Sequence, residues 1–249
     1  SAAIIREYAE KYPDIIKPIY EIENQYSKHD GSLRRKMDVH MRGKYIAMCE
    51  GDDYWIDSHK LQKQVNFMEE HPEYSLCFHA TNCIYGQDEN PYYTIHYTKS
   101  EFDLEDLILG GGGMMATNSM LYKNIFLEPL PLWVRKAPVG DLPLMLLLGS
   151  YGKVHYIDEV MSVYRLGVGV WSAGVERDKR KLKIHYNGLY EMFYAFDNWC
   201  NYSHSNVVKI EIGKLKRQYR KAILIYYLKK IFGERLFYRL HKSLNKNKK

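Results

Sequence analysis

The sequence predicts an α/β fold, a mixed sheet flanked by helices, followed by a helical extension. Three observations carry this. Helical and strand patterns alternate over the first 80 residues, which argues for a parallel, helix-covered sheet there. The 249 residues are 46% hydrophobic and 14% aromatic, which is enough to bury a large core and too apolar for a disordered chain. Beyond Glu176 the pattern is helical to the end, with breaks near His204 and Gly233.

The elements follow in order. Residues 2–12 place Ile4, Ile5, Tyr8 and Tyr12 at helical spacing, and Pro13 stops them. The chain opens within this helix, with no strand before it, and reads as a truncated polypeptide. Ile15 to Ile22 reads as a strand, with Pro18 placing it at an edge. Residues 24–33 are polar, with a turn at Asp30-Gly31-Ser32, and Leu33 to Met41 form a short helix closed by Gly43. Lys44 to Cys49 is a short buried strand that runs into the acidic turn Glu50-Gly51-Asp52-Asp53. Asp57 or Ser58 can cap the next helix, whose apolar face is Leu61, Val65 and Met68, and Ser75 to His79 is a further strand. Next come an exposed strand at Tyr92 to Tyr97, a short helix at Asp103 to Leu109, a flexible loop at Gly110 to Gly113 and a strand at Met120 to Tyr122. Asp141 opens an apolar helix ending near Gly149, and Lys153 to Ile157 and Val160 to Arg165 read as two strands.

Charge is unevenly placed. From Lys209 to Lys249 there are 14 Lys/Arg against two acids, which leaves the rest of the chain with 22 bases and 28 acids. An acidic body with a basic tail does not suit a nucleic-acid-binding protein. The four cysteines form no CxxC pair, so zinc ribbons and a disulfide framework are not expected and a reducing compartment is. No apolar run approaches the roughly 18–20 residues of a spanning helix. In the tail, Ala222 to Leu228 is apolar and aromatic and is framed by Lys/Arg, a pattern suited either to an anionic membrane surface or to a packed helix with a solvated cationic face.

Two acidic features carry chemistry. Glu50-Gly51-Asp52-Asp53-Tyr54-Trp55 follows an apolar strand, and ligands of open sheets gather at the carboxyl ends of strands. Adjacent carboxylates there suit Mg²⁺ or Mn²⁺, which prefer oxygen ligands, although a solvated capping turn has the same pattern. Asp141, before a strongly apolar helix, fits either an N-cap or a general base at the mouth of a site. After the last strand, Arg165 can clamp a phosphate and Trp171 can stack on a sugar or base.

As an ordered set, Gly43-Lys44-Tyr45-Ile46-Ala47, Glu50-Gly51-Asp52-Asp53-Tyr54-Trp55, Lys60-Leu61-Gln62-Lys63-Gln64, Gly140-Asp141-Leu142-Pro143-Leu144, Gly152 to Glu159 and Tyr164-Arg165 resemble the central motifs of bacterial family 2 glycosyltransferases of the GT-A (Rossmann-like) fold. The resemblance spans residues 1–175 as a glycosyltransferase domain, leaving 176–249 as a basic helical extension. It implies an inverting, metal-dependent hexosyltransferase-like enzyme of surface-polysaccharide synthesis, with Mg²⁺ or Mn²⁺ as cofactor. The implied donor is a nucleoside-diphosphate sugar, expected to be UDP-linked, and the acceptor a saccharide or lipid-linked molecule. Asp141 would be the catalytic base and Asp53 the metal ligand, with Glu50 beside it where relatives carry Asp. Asp52 would support the metal or the ribose–phosphate region, Arg34 would touch the nucleotide, and Arg165 and Trp171 would lie on the acceptor or diphosphate side. The expected location is cytoplasmic, peripheral at the inner face of the plasma membrane, with no nucleic-acid partner. Relatives begin with a strand and an acidic Ser/Thr-rich loop that would precede Ser1. The same resemblance therefore leaves open a catalytically impaired remnant serving as a binding or scaffold module.

Overall fold

The structure is a computed structural model that describes residues 2–25, 32–86, 88–125, 130–167, 175 and 178–233. The chain divides into two compact units, residues 1–42 and 43–249. The smaller holds helices α1 (Ala2–Lys11) and α2 (Ser32–Asp38). The strand expected over Ile15 to Ile22 is not formed: residues 16–21 join no sheet. Pro18 offers no N–H to a ladder, and alternating hydrophobicity without a partner strand does not make a sheet.

The larger unit contains strands β1 (Tyr45–Ala47) and β2 (Tyr54–Trp55), helix α3 (Lys60–Glu70), strands β3 (Tyr74–Tyr85), β4 (Tyr93–Ile95) and β5 (Glu101–Phe102), and helix α4 (Leu104–Gly110). After these come β6 (Leu121–Lys123), α5 (Leu132–Arg135), α6 (Asp141–Tyr151), β7 (Lys153–Leu166), α7 (Lys179–Trp199) and α8 (Ser205–Phe232). The sheet runs β1-β6-β3-β7-β2, with β4 paired to β3 and β5 to β7. The alternation in sequence points to a parallel sheet, but among the described pairs only β3 with β7 is parallel. The segments between β3 and α6 return as antiparallel strands, so the sheet is mixed. The two strands expected at 153–165 are one long strand whose pairing shifts register near Ala80 and Thr81 of β3.

Side chains of β3 alternate across the sheet. Leu76, Phe78 and Ala80 face the main core with Leu107, Leu146, Leu147, Val154, Phe193 and Phe196. Cys77 faces the other way, with Met68 of α3, Tyr74 and Leu121. Helix α6 is buried from Leu142 to Leu148, which explains an apolar run without an amphipathic stripe. The two C-terminal helices share the main core through Leu189, Phe193, Phe196, Val208, Ile212 and Leu215. The break between them falls at residues 200–204, as the pattern near His204 predicts. Helix α3 starts at Lys60, later than Asp57 or Ser58 predicts. No side chain caps it, and Asp57 Oδ1 accepts the His59 N–H at 2.7 Å instead.

Gly152 joins α6 to β7 where the chain passes closest to the start of β3. A Cβ there would lie 2.7 Å from the Glu73 carbonyl oxygen and 3.1 Å from the Ser75 nitrogen, both backbone atoms. Gly152→Ala should therefore destabilise the protein by about 1–3 kcal/mol, the usual cost of overpacking. Thermal unfolding checks this, and an unchanged melting temperature would show that the junction gives way freely.

Candidate active site

The acidic turn lies between β1 and β2, and its position is set by β7. Tyr54 and Trp55 pair antiparallel with Val163 and Ser162. One residue earlier, Asp53 Oδ1 accepts the backbone N–H of Arg165 at 2.9 Å. Asp53 Oδ2 is buried and has no hydrogen-bond partner. Burial, with Glu50 and Asp52 nearby, pushes the Asp53 carboxyl up to about 6 despite the Arg165 bond. The Arg165 guanidinium lies over the Tyr54 ring at 5.0 Å, and its Nε is also buried without a partner. A backbone donor thus orients one acid and leaves its second oxygen open, next to an arginine with a free donor.

Glu50 and Asp141 belong to the same charged neighbourhood. The Glu50 residue is largely exposed, but its carboxyl reaches the Thr117 hydroxyl; partial burial raises its pKa, and Asp52 and Asp141 add to the rise. Burial raises the Tyr164 phenol first, and the negative charges of Asp53, Glu50, Asp141 and Asp52 add to the rise in that order, so all four carboxylates act on one phenol. Asp141 is the first residue of α6, and Gly140 in the cap position makes no side-chain capping bond. Asp141 therefore does not occupy the N-cap position. It lines a small cleft with Gly111, Gly112, Gly113 and the methionines Met114, Met115, Met120 and Met145.

A buried polar network supports the turn. Asn118 takes the Trp55 Nε1–H on its carbonyl oxygen at 2.9 Å, donates from Nδ2 to the Val163 carbonyl at 2.9 Å, and accepts the Ser162 hydroxyl at 2.9 Å. Thr81 bonds Ser162 at 3.1 Å. Lys60 is fully buried: its ammonium donates to Gln64 Oε1 at 2.7 Å and stands 4.4 Å from the Trp55 ring. Burial pulls its pKa down to about 8. His79, which ends the strand expected from Ser75, is buried with its pKa down to about 4 and so is neutral at physiological pH.

Of the other expected site residues, Arg34 lies on α2 in the smaller unit and its side chain falls outside the described residues, as does the whole of Trp171. Among the described residues no group of three or more His, Cys, Asp or Glu stands ready to hold a metal ion. The oxygens at the turn are the donor type Mg²⁺ and Mn²⁺ prefer, and the open Asp53 Oδ2 fits one ligand position of such an ion. A larger open cleft of about 490 Å³, lined in part by His96, Lys99, His155 and Asp158, contains none of these acids.

No protein-family model matches the chain. It is 31% identical over 192 residues to uncharacterized proteins of Mycobacterium tuberculosis and Mycobacterium bovis, over 72% of this chain and 50% of theirs. The chain thus spans about half the length of these relatives. It is 28% identical over 210 residues to a Methanocaldococcus jannaschii protein named as an uncharacterized glycosyltransferase, over 81% of this chain and 65% of that one. Among solved structures, S. aureus TarS 1–349 in complex with UDP-GlcNAc aligns with 87% of this chain and 68% of its own, at 11% identity and a TM-score of 0.49.

The raised Asp53 pKa gives a signed prediction. The folded chain favours the protonated form, so it loses stability as pH rises from the ordinary aspartate value of 3.8 through about 6. Asp53→Asn removes the charge and keeps an oxygen for the Arg165 N–H. With EDTA present, its melting temperature should exceed that of the wild type by more at pH 8 than at pH 5. The same difference at both pH values would show that Asp53 bears no such penalty.

Proposed function

We propose that the chain is a glycosyltransferase of the GT-A, family 2 type that moves a sugar from a nucleoside-diphosphate donor, UDP-linked by expectation, to a saccharide or lipid-linked acceptor in surface-polysaccharide synthesis. The observation that carries this is Asp53, whose Oδ1 accepts the Arg165 N–H and whose buried Oδ2 stays open, with Glu50, Asp52 and Asp141 near enough to add their charge at Tyr164. The M. jannaschii relative's name supports the same reading. Residues 1–175 form the transferase domain in this proposal and 176–249 its helical extension.

Sugar transfer is a single displacement. The acceptor hydroxyl oxygen attacks the anomeric carbon, its proton passes to Asp141, the bond from that carbon to the diphosphate oxygen breaks, and the nucleoside diphosphate leaves with its electron pair. One attacking face gives inversion. Asp53, with Glu50 beside it, would hold Mg²⁺ or Mn²⁺, since one or two protein carboxylates is the usual complement for a cation shared with substrate phosphates. When bound, the ion supplies positive charge to the departing diphosphate. Arg165 gives a second positive group on that side and Asp52 a further donor contact in this reading; roles for Arg34 and Trp171 toward the donor rest on the motif resemblance alone.

Helix α8 bears on location. From Lys214 to Phe232 it carries seven Lys/Arg and no acid, and Leu224 and Ile231 are 58% and 71% exposed on the same stripe as Arg217, Arg220 and Lys221. Among the described residues no helix is long and apolar enough to cross a membrane. We assign this stripe to peripheral binding at an anionic inner membrane face.

Asp141→Asn should lower turnover of a UDP-sugar in the presence of Mn²⁺ by about 10²–10⁴-fold, the range of a lost general base, while leaving nucleotide affinity near wild type. Near-normal turnover would remove Asp141 from the role. In flotation assays the chain should rise with phosphatidylglycerol vesicles and not with phosphatidylcholine vesicles. Equal behaviour with the two would remove the membrane assignment.

A further inference from the structure

We infer that Glu211 and Lys214 of α8 are positioning residues that clamp the glycine loop 111–113 in the place where it lines the same cleft as Asp141. The inference rests on the proposed role of Asp141 and adds to it the means by which the glycine-loop lining of the cleft is fixed.

Helix α4 ends at Gly110, and Gly111 follows with φ 61° and ψ −165°, a region open essentially to glycine alone. A Cβ on Gly111 would stand 2.8 Å from Glu211 Oε1, so the loop backbone lies directly against this carboxylate. Glu211 is only 3% exposed and sits among Val208, Ile212 and Leu215, the buried residues of the same helix. A carboxylate there is costly unless it is paired. Lys214 Nζ lies 3.1 Å from Glu211 Oε2 and directs its hydrogen bond to the Leu109 carbonyl oxygen at 2.7 Å. That carbonyl belongs to the last turn of α4, where helical acceptors have no partner within the helix. One ion pair therefore neutralises the buried acid, caps α4 and backs the glycine loop. At the start of α8, His204 approaches Glu105 of α4 at 3.4 Å, which strengthens the same contact.

The route to the site is short. Met114 returns its N–H to the Gly111 carbonyl at 3.4 Å, and Tyr97 donates its hydroxyl to the Met114 carbonyl. Residues 111–115 then line the same small cleft as Asp141 and Met145. Helix α4 also packs closely on α6, the helix that Asp141 begins: a Cβ on Gly149 would lie 2.3 Å from Leu107 Cδ1. An apolar residue at 211 would serve packing alone at lower cost. The ion pair adds directional contact with a loop that has no side chains of its own to hold it.

The test uses the full chain with Glu211→Gln, which keeps shape, and Lys214→Met, which keeps bulk. Hydrogen–deuterium exchange of the amides of residues 110–115 should accelerate by about ten-fold in both variants, while those of β3 keep their rates. With Mn²⁺ and UDP-GlcNAc, UDP-glucose or UDP-galactose, kcat for donor hydrolysis should change by about five-fold or more with donor KM near wild type. The double variant should be no worse than the worse single variant, because the pair acts as a unit. Unchanged exchange at 110–115, or a uniform rise across the whole chain, would overturn the clamp. If Asp141→Asn retained full turnover, or no donor were hydrolysed, the catalytic reading would fall and loop exchange would still decide the clamp. A collapse in Asp141→Asn with wild-type kcat and KM in both α8 variants would overturn the clamp alone.

Discussion

The parallel pairing of β3 with β7 is the constraint on which the rest depends. These are the two longest strands among the described residues, paired from Tyr74 with Lys153 to Tyr85 with Leu166 through shifts of register near Ser75 and Ala80. β3 is buried on both faces, between α3 on one side and the main core on the other. A slip of one residue would turn Leu76, Phe78 and Ala80 to the wrong face. The far end of β7 then determines where chemistry can occur. Ser162 and Val163 hold β2, and the Arg165 N–H holds Asp53. The acidic turn is thus fixed by the backbone pairing of β2 and by the half-buried Asp53 carboxylate, which accepts a backbone N–H of β7.

Such a turn stores electrostatic cost, and the residues beneath it make that cost tolerable. Four neighbouring carboxylates repel one another, and partial burial weakens the screening between them. The layer of Asn118, Ser162, Thr81 and Trp55 meets its hydrogen-bonding needs internally, so the backbone around the turn can stay rigid without adding charge. Lys60 is the exception, a buried cation held by a neutral amide and an aromatic face. Its contact with Trp55 makes it a brace for β2 from within the protein, while the carboxylates keep their negative field toward the cleft.

What the sequence revealed follows from what leaves a trace in side-chain pattern. Asp141 was legible because an acid before seven consecutive apolar residues is conspicuous, and α6 is buried over that run. The strand at Ser75 to His79 was legible, but its continuation to Tyr85 was not, because Thr81 and Asn82 look like a strand end until partners for them exist: Ser162 for Thr81 and Thr94 for Asn82. β2 has two residues, too few for any periodicity. The Asp53–Arg165 bond left no mark either, since its donor is a backbone N–H that every non-proline residue has. Lys60 was visible as part of a motif, yet its burial ran against the usual exposure of lysine. The misread strand at Ile15 to Ile22 shows the converse, a pattern that looks right in isolation and lacks a neighbour to pair with.

The charge imbalance between body and tail takes a more specific form in three dimensions. Helix α8 is not one uniform basic rod. Its first half buries Val208, Glu211, Ile212 and Leu215 in the core, while nothing beyond Leu215 is buried. The only acid of the helix, Glu211, falls in the buried half, against the backbone of a glycine loop, and the first base after it, Lys214, is spent on Glu211 and the end of α4. Lys209 stands in the same half, and six bases from Lys216 to Lys230 lie beyond Leu215. There the helix keeps hold of α7 through the Tyr219 ring on Tyr186 and the Lys179 ammonium on the Tyr227 hydroxyl. The stripe proposed to meet an anionic membrane therefore falls on a helix anchored in both halves, so a surface bound there would be tied to the same helix that bears on the glycine loop.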